Sequence, residues 1–369
     1  MKIGVMLRHI QKQRGGIGTY TNNLIEKLFA IDKNNQYVLF YKNENIKYFS
    51  KLYPNVEEIC INVPTKFIWD QISIPIKCKQ ENIDIIFNPK LSIPILSPLK
   101  KVFVMHGGDW IVFPKNYTIA DRIYHNIFAG IYLRKADKVI SVSKSASKDL
   151  IEHFKLKPEK IKTIYHGVGN NFFPISDTDK LQKIKKNYNL PDNFILFVGN
   201  IYPMKNFKGI VRAFSKIVTE FPHKLVVVGG RGKKHKQDLE LIPKLNLEKE
   251  VIFLGWVPDE DLPGIYNLAS FLSFPSLYEG FGIPIIEAMK CGCPVLTSNK
   301  GAPSEIAGDA ALLVEPADVD SIAEGMRKLI VDKGLSKNLR EKGFLMARKF
   351  TWENCAKEVL SIFESLNGN

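Results

Sequence analysis

Several features are missing from this chain of 369 residues. No apolar run approaches the roughly 20 residues that a membrane-spanning helix needs, and a strand-like segment stands where a secretory signal peptide would begin. The five cysteines, at positions 60, 78, 291, 293 and 355, are odd in number and form no pair of closely spaced pairs of the kind that binds zinc. We therefore expect a cytoplasmic protein whose thiols are reduced and mostly buried.

Short apolar segments typical of buried strands recur along the chain and alternate with helical patterns. In the first half they lie at residues 2–7, 36–41, 83–87, 102–105, 138–142 and 160–164, and in the second half at residues 194–198, 251–254 and 271–274. This alternation predicts an α/β fold with parallel sheets covered by helices on both faces. The length predicts two domains, and the loop-forming residues at 170–178 place the boundary at 172/173.

The positive charge is concentrated in the first half of the chain. Residues 1–172 contain 26 Lys and Arg against 14 Asp and Glu, whereas the remaining residues contain 26 against 24. A basic N-terminal half is attracted to an anionic membrane surface, to a lipid phosphate or to nucleic acid. It is equally consistent with a surface that is simply lysine-rich. Nucleic acid is the weakest of these partners because no nucleic-acid-binding motif accompanies the charge.

Residues 276–289, which read Ser-Leu-Tyr-Glu-Gly-Phe-Gly-Ile-Pro-Ile-Ile-Glu-Ala-Met, lie where a predicted strand passes into a helix. Pro284 suits the start of that helix, and Gly292 suits its left-handed end. This places Glu279 in the loop and Glu287 in the first helical turn. Glycine amides at a helix N-terminus favour a phosphate, and carboxylates accept hydrogen bonds from sugar hydroxyls. Alternatively, Glu287 complements the helix dipole and Glu279 is a solvated loop residue; the two glycines make us favour the site.

The two glutamates, seven residues apart from Glu-Gly-Phe-Gly to Glu-Ala-Met, resemble the signature of the retaining glycosyltransferases of family 4. The continuations Cys-Gly-Cys-Pro-Val at 291–295 and Ala-Pro-Ser-Glu at 302–305 are similar to the same family. The resemblance implies that Glu279 contacts the transferred sugar and that Glu287 holds the ribose of the nucleotide. It also implies that the backbone of Gly280, Phe281 and Gly282 meets the diphosphate and the sugar.

The resemblance extends to the first half of the chain. Residues 15–20, Gly-Gly-Ile-Gly-Thr-Tyr, lack the third glycine of the dinucleotide fingerprint, which makes a nicotinamide oxidoreductase a weak alternative. They resemble instead the family's first loop, which implies that Gly16 and Gly18 lie against the donor. His106 directly follows a predicted strand, as does a family histidine near the transferred sugar. A lone histidine is more often structural, but this position favours a site role.

In the second half, the turn at residues 199–206 resembles the family's phosphate-binding turn, and it implies that Lys205 binds the diphosphate. Many members have an arginine earlier in this turn, where this chain has Asn200, and we expect Arg231 to supply the second cation. The family borders the nucleotide base near Val257, beside Trp256. A tryptophan in the protein core is the equal alternative for Trp256.

The resemblance covers almost the whole chain and implies the GT-B fold, two Rossmann-like domains facing a cleft. It implies that the second domain, residues 173–351, binds the donor and that the first, residues 1–172, binds the acceptor, with a last helix at about 352–369 returning to the first. It requires no metal and no cofactor besides the substrate. The one Asp-x-Asp, at residues 318–320, suits a helix cap better than a metal site.

The expected function is therefore transfer of a hexose from a nucleoside-diphosphate sugar to a hydroxyl of a glycan or polyprenyl-linked acceptor. The turn at residues 199–206 resembles bacterial mannosyltransferases of surface polysaccharide synthesis, so GDP-mannose is the leading donor and UDP-glucose the next. A sugar-nucleotide 2-epimerase of the same fold and a non-catalytic sugar-nucleotide-binding protein stay open. A peripheral position on the inner face of the membrane is possible for the basic half.

Overall fold

The computed structural model describes residues 1–8, 10, 15–42, 49–230 and 236–368. It divides into two compact units. Unit 1 comprises Met1–Gly167 with Thr351–Asn369, and unit 2 comprises Val168–Phe350. The last helix of the chain thus belongs to unit 1. The first boundary between the units lies between Gly167 and Val168, a few residues before the predicted boundary at 172/173.

Each unit is built on one parallel sheet, of seven strands in unit 1 and six in unit 2. The strands are β1 Lys2–Met6, β2 Gln36–Tyr41, β3 Val56–Cys60, β4 Ile85–Asn88, β5 Lys100–Met105, β6 Lys138–Ser141, β7 Ile161–Thr163, β8 Phe194–Val198, β9 Lys224–Val228, β10 Val251–Gly255, β11 Phe271–Phe274, β12 Val295–Ser298 and β13 Leu312–Val314. The strand order is β3-β2-β1-β4-β5-β6-β7 in unit 1 and β10-β9-β8-β11-β12-β13 in unit 2. The predicted α/β class with two Rossmann-like parallel-sheet domains is confirmed.

Helices connect most of the successive strands, since a parallel pair needs a crossover connection. The helices are α1 Gly16–Ile31, α2 Lys66–Ile68, α3 Ile74–Gln80, α4 Asp109–Val112, α5 Ile119–Lys135, α6 Lys144–Phe154, α7 Thr178–Asn187, α8 Phe207–Ser215, α9 Lys236–Leu239, α10 Leu241–Lys244, α11 Leu262–Leu268, α12 Ile283–Lys290, α13 Gly301–Ala307, α14 Val319–Val331, α15 Lys333–Ala347 and α16 Trp352–Asn367. A π-helical turn, Trp69–Ser73, joins α2 to α3 just before Pro75. A wider turn at this place fits a proline that cannot donate a helical hydrogen bond.

The central strands are buried along their whole length, because helices cover both faces of each sheet. Every residue of β8 and β11 is buried. Both strands lie where the apolar runs predict them. Asp318 caps α14 by accepting a hydrogen bond from the amide of Asp320, as the sequence predicts. All five cysteines are free thiols, and four of them are buried. Among the helices that the structure describes, none is long and apolar enough to cross a bilayer.

Candidate active site

The acidic loop of unit 2 leaves the carboxyl end of β11 and enters α12. Gly282 is the N-cap of α12 with φ +103°, a left-handed conformation that a residue with a side chain rarely adopts. Gly292 follows the helix with φ +73°, so it forms the predicted left-handed end. Gly282 therefore sets the turn from the loop into α12, and the loop presents Glu279 at the edge of the sheet where parallel α/β folds bind ligands.

Glu279 is paired with Lys205. The Lys205 Nζ lies 2.7 Å from one carboxylate oxygen and 2.8 Å from the other. Both side chains are mostly buried, at 22% exposure for Lys205 and 11% for Glu279. The Lys205 ammonium also lies 4.8 Å from the centre of the Phe274 ring. The structure thus brings together the residue predicted to bind phosphate and the residue predicted to bind sugar, which are 74 positions apart in the chain.

Asn206 holds this lysine in place and was missed as a site residue. It adopts a left-handed conformation, φ +56°, directly after the short helical turn Pro203–Lys205. Its buried side-chain amide donates to the carbonyls of Pro275, at 3.1 Å, and Pro316, at 2.6 Å. Asn206 therefore fastens the lysine turn to the start of the acidic loop. The available signal was the residue type, since asparagine tolerates the left-handed region better than most residues.

Glu287 lies in the second turn of α12, so its predicted position in the first turn is wrong. The helix begins one residue before Pro284, at Ile283, and this moves Glu287 away from the terminus where the helix dipole acts. Its carboxylate is buried and accepts a hydrogen bond of 2.9 Å from the Tyr266 hydroxyl. Burial raises the pKa of Glu287 to about 7, the Tyr266 hydrogen bond opposes this shift, and the charge of Asp259 adds to it. Glu287 is thus a buried acid that changes charge near neutral pH.

The other residues of unit 2 that are predicted to bind the sugar-nucleotide donor differ in the solvent exposure of their side chains. Asn200 is exposed, and its side-chain oxygen accepts a hydrogen bond of 2.9 Å from the amide of Gly230, which ties the turn after β8 to the turn after β9. Trp256 is 54% exposed, so its placement in the protein core is wrong. Val257 has a buried side chain, so any contact with a base involves its backbone. Arg231 lies outside the described residues.

Phe281, between the two glycines of the acidic loop, points into unit 2. Its ring is 3% exposed and packs edge-on against Phe350, with 5.7 Å between the ring centres. The role predicted for Gly280, Phe281 and Gly282 is one for the backbone, and a buried ring at the middle position is compatible with it. The phenylalanine therefore acts as an anchor for the loop.

In unit 1, His106 follows the carboxyl end of β5, as predicted. Its Nε2 lies 2.8 Å from the carbonyl of Pro89, and that geometry makes Nε2 the nitrogen that donates a hydrogen. Burial lowers the pKa of His106 to about 4, the Pro89 hydrogen bond opposes this, and the charge of Lys90 adds to it. The ring is therefore neutral at physiological pH, and its Nδ1 is the nitrogen that accepts hydrogen bonds.

Aromatic rings surround His106 in unit 1. Tyr20 of α1 is fully buried and meets the His106 ring edge-on, with 4.8 Å between the ring centres. Tyr20 also packs at 4.6 Å on His166, which stacks at 5.9 Å on Trp352 of α16. The last helix of the chain thus supports the surroundings of His106. Tyr20 was missed because an isolated tyrosine at the end of a glycine motif carries no recognisable signal.

The predicted loop position of Gly16 and Gly18 is wrong, because both residues lie in the first turn of α1. The helix begins at Gly16 because Gly15 acts as its N-cap and accepts a hydrogen bond of 2.9 Å from the amide of Thr19. A Cβ atom added to Gly16 would have no neighbour within 4 Å, so the space beside this glycine is open. Within the described part of the chain, no three His, Cys, Asp or Glu side chains are grouped to hold a metal ion.

Two family models match the chain, one for each unit. The model described as glycosyl transferases group 1 matches residues 178–346, and the model described as glycosyltransferase family 4 matches residues 14–170. The matches together cover both the acidic loop and His106. They agree with the family resemblance of the two-glutamate motif.

Similar proteins have related descriptions. O-antigen chain mannosyltransferase B of Escherichia coli is 31% identical over 236 residues, which cover 63% of this chain and 62% of that protein. Serotype-specific mannosyltransferase WbdA of Escherichia coli is 32% identical over 238 residues, which cover 63% of this chain and 29% of that protein. The matched part therefore spans less than two thirds of the length of these relatives.

The fold has a counterpart among solved structures. Sucrose-phosphate synthase from Thermosynechococcus elongatus superposes with a TM-score of 0.81 at 21% identity, and the match covers 100% of this chain and 99% of that one. At this identity the likeness concerns the fold alone. The expected GT-B fold, with its two Rossmann-like domains, is confirmed.

Proposed function

The chain belongs to the group 1 glycosyl transferases, and we propose that it moves a hexose from a nucleoside-diphosphate sugar to a hydroxyl of a glycan or lipid-linked acceptor, with retention of configuration. The pairing of Lys205 with Glu279 carries this proposal. A cation and a carboxylate held side by side at the end of a parallel sheet offer one group for a phosphate and one for sugar hydroxyls. Glu287, on the following helix, supplies a second carboxylate for ribose.

A bound donor would separate Lys205 from Glu279 and give each of them a new partner. The diphosphate takes the Lys205 ammonium, and the sugar hydroxyls donate to the Glu279 carboxylate, so both charges keep a partner in the occupied site. As the bond between the anomeric carbon and the phosphate oxygen breaks, negative charge grows on the leaving diphosphate. Lys205 and the amides of the acidic loop stabilise that charge, and preorganised groups of this kind supply a large share of catalysis.

The acceptor hydroxyl attacks the anomeric carbon and loses its proton. In the front-face displacement that we propose for retention, the leaving phosphate oxygen takes that proton on the same face of the sugar, so no protein nucleophile is needed. His106 contributes as a neutral hydrogen-bond acceptor through Nδ1, because its low pKa keeps it uncharged. As a neutral acceptor, Nδ1 can receive a hydrogen bond from a sugar hydroxyl.

Mannose is the sugar we propose, with GDP-mannose as the donor and UDP-glucose as the next candidate. The support is the resemblance of residues 199–206 to mannosyltransferases together with the names of the two relatives from Escherichia coli. The test is slow hydrolysis of GDP-mannose, UDP-glucose, UDP-galactose, UDP-N-acetylglucosamine and TDP-rhamnose by the parent protein and by Glu279→Ala.

Each outcome of this panel is decisive. Consumption of one donor that depends on Glu279 supports transfer and identifies the donor. Conversion of a donor to its epimer without hydrolysis would replace transfer by 2-epimerisation. Binding of a donor with neither reaction would leave a non-catalytic sugar-nucleotide-binding protein, and the absence of any binding would refute the site.

We also propose that the protein works at the inner face of a membrane, with unit 1 against anionic lipid. The support is a row of exposed isoleucines one turn apart on α5: Ile119 at 74%, Ile123 at 54% and Ile127 at 52% exposure. An apolar row on a basic unit suits an interfacial helix. We expect parent protein to sediment with anionic vesicles at low salt and Ile123→Ser/Ile127→Ser to lose most of this binding. The control Val331→Ser/Leu345→Ser removes exposed apolar side chains from unit 2 instead; equal losses would contradict the assignment.

A further inference from the structure

Three cations gather near the carboxyl ends of neighbouring strands in unit 1. Arg8 follows β1, Lys90 follows β4, and Lys66 begins α2. Strands β1 and β4 are paired in the sheet, and β5, which leads to His106, is the next strand. Arg8 and Lys90 each lie three residues beyond the paired residues Val5 and Phe87, and so at the same end of neighbouring strands. The charges of Lys66 and Arg8 add to burial in lowering the pKa of Lys90. We refer to Arg8, Lys66 and Lys90 as the cation cluster.

The carboxylate of Asp70 lies beside the cluster. Asp70, in the π-helical turn, is 2% exposed, and one of its oxygens lies 4.0 Å from the Lys66 Nζ. Its other oxygen is buried and has no hydrogen-bond partner among the described residues, and the same is true of the Arg8 Nε. The Asp70 carboxylate cannot by itself neutralise three cations. The Arg8 Nε is a donor that an anion could satisfy, whereas the Asp70 oxygen is an acceptor and opposes an anion. The arrangement therefore has spare positive charge and a spare hydrogen-bond donor.

The loop that carries Lys90 is held rigidly. The buried Asn88 accepts a hydrogen bond of 3.0 Å from the Lys90 amide and donates one of 2.8 Å to the carbonyl of Ser92. Gln71, in the π-helical turn, donates to the carbonyl of Ile93 at 2.9 Å and accepts from the amide of Ile95 at 2.8 Å. The π-helical turn and the Lys90 loop are thus joined by a two-way side-chain bridge.

The same loop connects the cluster to His106. Pro89, the neighbour of Lys90, provides the carbonyl that receives the His106 hydrogen bond of 2.8 Å. The charge of Lys90 also acts on the His106 ring. A ligand bound by the cluster would therefore be placed beside the histidine that we assign to the sugar-transfer site.

We propose that Arg8, Lys66 and Lys90 form an anion site that binds a phosphate group of the acceptor. The ligand class is a phosphorylated acceptor, in which the phosphate belongs either to a soluble sugar phosphate or to a lipid diphosphate. This rests on the proposed transferase function, since it assigns the acceptor to unit 1. The phosphate would fix the acceptor while its hydroxyl reaches the transferred sugar, a positioning that converts binding into rate.

The probe is inorganic diphosphate, titrated calorimetrically into the full chain at low salt. All proteins carry Lys205→Ala, which removes the lysine proposed to bind the donor's phosphates. Adding Lys66→Ala/Lys90→Ala should weaken diphosphate binding about tenfold or more, because two charge-assisted contacts are lost. The control Lys148→Ala/Lys162→Ala removes two exposed cations from the same unit and should change the affinity less than about twofold, because long-range charge is screened.

Asp70→Asn gives a test of opposite sign. It removes one negative charge from the cluster with little change in shape, so diphosphate should bind more tightly, by about twofold or more if the effective dielectric constant is near 20. Equal weakening by the two double lysine variants, no diphosphate binding at all, or weaker binding in Asp70→Asn would each overturn the anion site.

Competition then separates the two sources of phosphate. Displacement of diphosphate by a hexose 1-phosphate identifies a soluble acceptor, and displacement by a polyprenyl diphosphate in detergent identifies a lipid acceptor. Displacement by neither would refute the acceptor assignment. None of these measurements uses a sugar donor or needs transfer to occur, so a failure of the transferase function in the donor panel is read separately from a failure of the anion site.

Discussion

The two units have the same architecture but place different chemistry at the ends of their strands. In unit 2 the central group is an ion pair between Lys205 and Glu279, followed by the buried acid Glu287. In unit 1 it is the neutral His106 with a cation cluster beside it. Unit 1 has 27 Lys and Arg against 17 Asp and Glu, whereas unit 2 has 25 against 21. Unit 2 nearly balances its positive and negative charges, whereas unit 1 has an excess of positive charge.

This difference indicates what each unit is prepared to receive. An ion pair favours a ligand that carries both an anionic group and hydroxyls. The anionic group can take the place of the carboxylate beside the lysine, and the hydroxyls can take the place of the lysine beside the carboxylate. An excess of cations favours a ligand that brings negative charge of its own. The comparison therefore predicts that damage in unit 2 affects donor use, and that damage in unit 1 affects acceptor use.

The largest effects are expected from the ion pair of unit 2. Lys205→Ala and Glu279→Ala should each lower transfer at least about tenfold, roughly 1.4 kcal/mol of barrier, since each removes a group that stabilises the transition state. Each should also lower the free energy of unfolding by about 1–2 kcal/mol, because the remaining charge stays partly buried without its partner. Rates from the donor assay and chemical denaturation measure the two effects.

The double variant Lys205→Ala/Glu279→Ala sharpens this test. It should recover part of the lost stability, since no unpaired charge remains, while its activity should stay at or below that of the single variants. The exposed Lys208→Ala on the neighbouring helix α8 is the control and should leave both quantities unchanged. Recovery of activity in the double variant would mean that the pair is structural and not part of the site.

A smaller and different effect is expected from His106→Ala in unit 1. Transfer should fall about fivefold, because one hydrogen bond contributes roughly 1 kcal/mol, while the affinity for the nucleoside diphosphate should not change. His106→Asn, which keeps an acceptor atom, should recover part of the rate. Because the pKa of His106 is about 4, its ring stays neutral and should produce no step in the rate between pH 5 and pH 8. A loss of nucleotide affinity in His106→Ala would break the assignment of donor and acceptor to different units.

The central strands of both units could be predicted because burial on both faces leaves an unbroken apolar run. Residues 194–198 and 271–274 are examples, and both match the observed strands. Of the four edge strands, β7 and β10 lie where the apolar runs at residues 160–164 and 251–254 predict them, but β3 and β13 could not be predicted. Val56–Cys60 contains two glutamates and is only half-buried, and Leu312–Val314 has three residues, so neither shows the pattern of a buried strand.

The chemistry of the two sites was predictable to different degrees. Glu279 and Glu287 lie in one short motif, which runs from the loop after β11 into the second turn of α12. The contact between Lys205 and Glu279 could not be predicted from local pattern, since it depends on β8 and β11 being neighbours in the sheet. The cation cluster draws on residues 8, 66 and 90, which only the strand order and the Gln71 bridge bring together.

The smallest expected effect on ligand use comes from Glu287, and it depends on pH. With a pKa of about 7, this carboxyl is mostly protonated at pH 6 and mostly ionised at pH 8. The Tyr266 hydroxyl already donates to one of its oxygens, so the ionised form can accept ribose hydroxyls better than the protonated form. We expect the affinity for the nucleoside to rise about threefold from pH 6 to pH 8 in the parent protein, or about 0.6 kcal/mol, and to stay flat in Glu287→Gln.

The nucleoside, titrated by NMR, is the correct ligand because it has no phosphate that titrates in the same range. The 2′,3′-dideoxynucleoside is the matched control and should show no rise. Stability gives an independent check. The folded state binds the Glu287 proton more tightly than the unfolded state, whose pKa is near 4.5, so stability is fully present below that value and falls as the pH rises through about 7. Glu287→Gln lacks this loss and should gain about 1–3 kcal/mol relative to the parent between pH 4 and pH 8. If the nucleoside affinity of the parent protein and its stability relative to Glu287→Gln are both independent of pH, Glu287 does not titrate between pH 4 and pH 8. The contrast between a titrating acid in unit 2 and a neutral histidine in unit 1 would then be wrong.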